Sequence, residues 1–138
     1  MNPTLKAAYH TVQFRSEGLK ESIPSLFVIV TAFNPKGRNA PLSRNQHADQ
    51  TLRGYLTSQD LSPIRVIGMS LDQKHQEPGW AIEVNEEHGV KIGKRFQQEA
   101  IFVVHEEEVY LVSCFDQTQK AHIGSWIQLQ VKGDEIST

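Results

Sequence analysis

The chain has 138 residues, a formal net charge of -2 and a composition that is 38% hydrophobic and 22% charged. That length suits one domain whose core holds without staples, and the composition excludes disorder over the bulk of the chain. No basic excess marks a nucleic-acid surface, no apolar run approaches the ~20 residues of a membrane helix, and the one cysteine, Cys114, excludes an intrachain disulfide and a cysteine-only metal site.

Met1 to His10 lacks a basic region followed by a long apolar stretch, so no secretory signal is read there and a cytoplasmic location is expected. Leu5, Ala8, Tyr9 and Val12 have helical spacing, while Tyr9 to Phe14 is β-prone; a short N-terminal helix running into a strand is expected. Leu26 to Phe33 is apolar on both faces, as a central strand covered on both sides must be. Asn34-Pro35-Lys36-Gly37 then reads as a turn.

A helix is predicted from Ser43 to about Ser58, with Ser43 as its N-cap and Ala48, Leu52, Tyr55 and Leu56 as an apolar stripe. Ile64 to Leu71 reads as a second strand, Asp72 to Gly79 as a polar loop, and Trp80 to Val84 as a third strand. Asn85 caps a second helix that carries Glu86 and Glu87 in its first turn, where the helix dipole favours negative charge. On one face of that helix Gly89 and Gly93 allow close packing on a sheet. Ala100 to Val104 and Val109 to Cys114 form a hairpin around His105 to Glu108, although its turn lacks the usual Asn-Gly signal. A last strand is expected at Ser125 to Val131, and residues 132–138 as a frayed tail.

This order predicts one α+β domain over residues 1–138. Strand-helix-strand passages suggest parallel neighbours and hairpins antiparallel ones. A mixed central sheet of about five to six strands, with two to three helices packed on it, is the expected result.

Two segments carry candidate chemistry. A central strand that runs through Thr31 and Asn34 into a polar loop and a helix start at Ser43, Arg44 and Asn45 has the geometry of a ligand site. Lys36, Arg38 and Arg44 are suited to an anion there, although no P-loop pattern is present. The alternative is plain turn chemistry. The second segment, Ser70 to Trp80, gathers Asp72, His75 and Glu77 within six residues. A histidine flanked by carboxylates suits a general base, with Asp72 or Glu77 orienting it. The competing reading is a polar loop with Asp72 in a turn. No metal site and no cofactor are expected, because no second histidine stands at ligand spacing. Nothing local lowers the pKa of Cys114, which reads as a buried structural thiol.

Phe27 to Gly37 (FVIVTAFNPKG), followed by Ser43 and Asn45, resembles the opening signature of an uncharacterised bacterial family, domain-of-unknown-function family 3293. Ser70, Asp72, His75 and Glu77 to Ala81 resemble its second motif. Phe96 to Phe102 and Leu111 to Cys114 resemble its third and fourth. The resemblance spans Leu26 to Cys114. It implies that Thr31, Asn34, Ser43, Asn45, Ser70, Asp72, His75 and Glu77 recur together, consistent with one shared pocket, and it implies no activity.

The function read from the sequence is therefore a small cytosolic binding or regulatory module, with a polar pocket formed by the loops after the first two core strands. Its expected partner is a small molecule or a protein rather than nucleic acid, and no membrane is expected. The alternative is a small hydrolase-like enzyme using His75 with Asp72 or Glu77 on an anionic substrate. A local patch of Lys36, Arg38, Arg44 and Arg53 for nucleic acid is the third reading.

Overall fold

The computed structural model describes residues 11–16, 18–19 and 23–131. Among these the chain forms β1 (Gln13–Arg15), β2 (Leu26–Thr31), α1 (Leu42–Ser58), β3 (Ile64–Met69), β4 (Gln76–Ile82), α2 (Glu86–Arg95), β5 (Ala100–His105), β6 (Glu108–Ser113) and β7 (Lys120–Ser125). One sheet of seven strands results, in the order β1-β3-β4-β2-β5-β6-β7. The apolar run Phe27-Val28-Ile29-Val30 puts β2 in the middle, buried on both faces.

Every strand pairing is antiparallel. This corrects the expected mixed sheet of five to six strands with two to three helices. The inference that a helical crossover makes parallel neighbours fails because each crossover skips a strand. α1 carries the chain from β2 to β3, but β4 folds back between them. α2 carries it from β4 to β5, with β2 between those two. Such split βαβ units leave a slot that an antiparallel strand fills, and β2 to β5 together trace the ferredoxin-like β-α-β-β-α-β path. The two crossovers leave antiparallel strands toward opposite edges, so a common hand places both helices on one face. Leu52 and Leu56 of α1 and Val90 and Ile92 of α2 do share one core.

Strand alternation sorts the rest. Val28, Val30, Trp80, Ile82, Ile101, Val103 and Val112 face the helices. Phe27, Ile29, Val66, Ala81, Val104 and Val109 face the other way, toward Phe14 and Trp126. Among the described residues no helix covers that second face; the sheet curls over it. Phe14 of β1, at one edge, accepts a hydrogen bond from Val131 N (2.9 Å) and donates one to Leu129 O (2.8 Å), just past β7 at the other edge. Phe14, Phe27, Phe102 and Trp126 stack edge to face and face to face inside the curl.

Other elements differ locally from expectation. The last strand is Lys120–Ser125, and the apolar alternation of 125–131 falls on a turn at Trp126 to Leu129 followed by a single bridge at Gln130. Ile127 is accordingly exposed. α1 starts one residue early, with Pro41 rather than Ser43 at its N-cap and no side-chain cap. β4 begins at Gln76, inside the expected polar loop. Pro78 is tolerated there because both main-chain groups of a strand residue point the same way. Its carbonyl accepts from the Thr31 hydroxyl (2.8 Å), so the missing N–H also falls beside the end of β2, beyond the last ladder pair Thr31–Gly79. The expected N-terminal helix from Leu5 and the tail at 132–138 lie largely or wholly outside the described residues.

Candidate functional site

The C-terminal ends of β2, β3 and β6 and the N-terminal ends of β4 and β5 meet at one end of the curled sheet. A cavity of about 470 Å³ opens there on the face opposite α1 and α2. Its inner wall is apolar, with Phe14, Ile29 and Leu111 nearly inaccessible to solvent and Phe102 and Ala100 beside them. Its polar lining comes from Thr31 and Asn34 at the exit of β2, Ser70 at the exit of β3, the exposed Lys74 and His75 of the β3–β4 turn, Glu77 of β4, and the buried Gln98 before β5. An apolar body with a few convergent polar groups, at this size, is the usual form of a small-molecule site.

Alternation brings Glu77 in. Ala81 belongs to the curled-sheet core, so Glu77 and Gly79, at i-4 and i-2, share its face. A Cβ at Gly79 would stand 2.8 Å from the Val30 carbonyl oxygen, so this position admits no side chain and leaves room beside Glu77. Burial pushes the Glu77 carboxyl above its ordinary value, and a hydrogen bond from the Asn34 side chain opposes that rise.

Asn34 is itself held. Its backbone is left-handed, at φ 49, which asparagine tolerates better than most residues. Its Oδ1 accepts from Asn45 Nδ2 (2.9 Å) and Ala40 N (3.0 Å), and its N–H donates to Asn45 Oδ1 (2.9 Å). Both lone pairs of Oδ1 are thereby used, which fixes the amide and leaves its N–H groups for Glu77. Asn45 is placed by α1: with Asp49, Leu52 and Leu56 it forms the buried stripe of that helix. One turn on, Asp49 accepts two bonds from Arg65 (2.9 and 2.6 Å), whose guanidinium lies 3.7 Å over Trp80 and pins α1 to β3 and β4.

The β3–β4 turn has a different economy. Ser70 Oγ donates to Asp72 Oδ1 (2.6 Å) and accepts from His75 N (3.2 Å), and Asp72 Oδ1 also accepts from Lys74 N (3.0 Å). The Ser70 bond, then the Lys74 N–H, hold the exposed Asp72 carboxyl below its ordinary value. Asp72 is thus committed to the turn and does not line the cavity, while His75 is exposed at the mouth.

Of the residues singled out from sequence, Thr31, Asn34, Ser70, His75 and Glu77 come together in the cavity, and Asn45 stands directly behind Asn34. The Thr31 hydroxyl is engaged with Pro78 O and Phe33 N. Lys36, Ser43 and Arg44 are exposed and outside the cavity. The N–H groups of 36, 37 and 38 donate to Gln97, Asn34 and Pro35 carbonyls, so this turn is closed on itself rather than open to an anion. Sequence reasoning missed Gln98, a buried amide whose Nε2 donates to Phe33 O (3.2 Å) and Phe96 O (3.1 Å), and it missed the aromatic inner wall. No local signal marks Phe14 and Phe102 as neighbours, because only the curl of the sheet unites them. Cys114 is buried beneath α2, and desolvation pushes its thiol up to about 12 against a smaller opposing pull from Lys94. Among the described residues no group of three or more His, Cys, Asp or Glu is placed to hold a metal ion, and no helix is long and apolar enough to cross a membrane.

The fold and cavity define a curled antiparallel-sheet domain with a ligand-sized hollow at one end. The chain belongs to the family described as "Protein of unknown function (DUF3293)", whose model matches residues 30–101, from the end of β2 to the start of β5. No curated protein and no solved structure matches it.

Proposed function

We propose that this chain is a cytoplasmic binding or regulatory module that holds a small molecule in the hollow of its curled sheet. The observation that carries this reading is the cavity itself, about 470 Å³ with an apolar interior and a polar mouth built by the β2 exit and the β3–β4 turn. The hydrolytic alternative has weaker support. It needs an oriented acid–base pair, and the hydrogen bonds of Asp72 go to Ser70 Oγ and Lys74 N, leaving only a weaker charge attraction to His75. A cytoplasmic setting accords with the lone buried Cys114.

The test is fluorescence titration with N-phenyl-1-naphthylamine, a neutral apolar dye. The expected result is saturable enhancement at one site per chain. Gly68→Val and Ala100→Leu, which fill the cavity from β3 and β5, should each weaken binding at least tenfold. A Cβ at Gly68 meets only ordinary contacts (3.5 Å to Val12), so that variant is expected to fold. Absence of saturable binding, or equal binding by both folded variants, overturns the reading.

A further inference from the structure

The charge on the cavity wall narrows the ligand class, an inference that rests on the binding reading above. Glu77 is half-buried on the wall of the hollow. Among the described residues no lysine, arginine or histidine pairs with it; what acts on it is burial and the Asn34 amide. A neutral donor locked in place by Asn45 and Ala40 favours the ionised carboxylate but does not neutralise it. Lys74 and His75 face the same cavity from the β3–β4 turn, yet both are exposed, where water and salt screen them. The arrangement is therefore, among the described residues, one carboxylate without a cationic partner in a cavity whose inner wall includes Ile29, Ala100 and Phe102.

An anionic ligand reaching that wall would bring like charges together, a purely apolar one would strip water from the carboxylate without replacing it, and a neutral donor would replace it with a weaker, uncharged hydrogen bond. A cationic donor does none of these. We propose that the cavity takes a small amine with an apolar body, its ammonium donating to the Glu77 carboxylate and its body lying on the inner wall. Asn34 and Asn45 act as positioning residues that aim the carboxylate.

The experiment is isothermal titration of the full chain at neutral pH with hexylamine, hexanol and hexanoate, which share one apolar body. A charge-assisted hydrogen bond in a partly dry site should favour hexylamine about tenfold over hexanol, with hexanoate weakest. Glu77→Gln keeps the shape and an acceptor for Asn34, and should bring hexylamine down to the level of hexanol while leaving hexanol unchanged. Hexanol or hexanoate binding as tightly as hexylamine, or Glu77→Gln leaving the amine preference intact, overturns the amine assignment but not the cavity. Failure of all three probes to bind overturns both.

Discussion

Replacing Asn45 with alanine tests how the site is held. Asn45 is 5% exposed on the sheet-facing side of α1. Its amide accepts from Asn34 N (2.9 Å) and donates to Asn34 Oδ1 (2.9 Å), with a longer contact to Ala40 O (3.4 Å). At about 1 kcal/mol per hydrogen bond, the two short bonds amount to about 2 kcal/mol, and the long one adds little. Alanine recovers about 0.5 kcal/mol through its better helix propensity. The net loss of about 1.5 kcal/mol corresponds to a fall in Tm of about 5 °C for a domain of this length. A second effect follows. Released from Asn45, the Asn34 amide no longer keeps its N–H on Glu77, so the Glu77 carboxyl should titrate at higher pH than in the parent chain. Thermal melts by circular dichroism and carboxyl-carbon NMR titration of Glu77 read the two effects. A variant that melts within about 1 °C of the parent, with an unchanged Glu77 midpoint, refutes the idea that α1 positions the carboxylate through Asn34.

Three further outcomes are expected. The folded Glu77 carboxyl holds its proton above the ordinary value of 4.5, so between that value and the raised one the folded chain binds more protons than the unfolded chain and stability falls as pH rises. Glu77→Gln should therefore melt higher than the parent at neutral pH, the gap closing at about pH 4; denaturant melts across pH check this, and a gap that widens on acidification contradicts it. Glu106 and Glu107 form the two-residue β5–β6 turn with φ 48 and 71, a left-handed pair normally given to Asn-Gly. Glu107→Gly should stabilise by about 0.5–1 kcal/mol in urea unfolding, since the main-chain bond from Trp126 N to residue 107 does not depend on the side chain. A Cβ at Gly93 would lie 2.7 Å from Cys114 Sγ and 2.9 Å from Ile101 Cγ2, so Gly93→Ala should destabilise by about 1–3 kcal/mol. Adding Cys114→Ala should return part of that loss, a coupling that a double-mutant cycle measures; strict additivity would show that the thiol is not the obstacle.

What the sequence disclosed follows from how local each signal is. The central strand was legible in Phe27 to Val30 because burial on both faces leaves no room for a polar residue. The α2 start was legible because a cap is a contact between neighbours: Asn85 Oδ1 accepts from His88 N at 2.8 Å. Strand direction was not legible. It depends on β4 entering between β2 and β3 and on β2 separating β4 from β5, which no window of residues encodes. β7 was missed because Lys120 and His122 break its apolar pattern on the side away from the curl and Gly124 follows an irregularity in its pairing with β6, while the more apolar stretch to Val131 drew the assignment. Thr31, Asn34, Ser70, His75 and Glu77, which line the cavity, were legible as candidates because polar residues at strand exits stand out against apolar runs. Ser43 and Arg44 share that composition, but helix phase turns them outward, whereas Asn45, one residue further on, is turned to the sheet. The inner wall went unread since Phe14 and Phe102 look like any core residues until the sheet curls.

The most direct test of the ligand-holding hollow is an intermolecular NOE measurement on the methyl-labelled chain with hexanol, the neutral probe. Ile29 and Leu111 face the hollow, while Val30 and Val112, each one residue along, face the helices. The expected result is cross-peaks from the hexyl chain to Ile29 and Leu111 and none to Val30 or Val112. Cross-peaks confined to exposed Leu42 or Leu71, or to the helix-facing valines, would contradict the claim that the molecule holds its ligand inside the curl of its sheet.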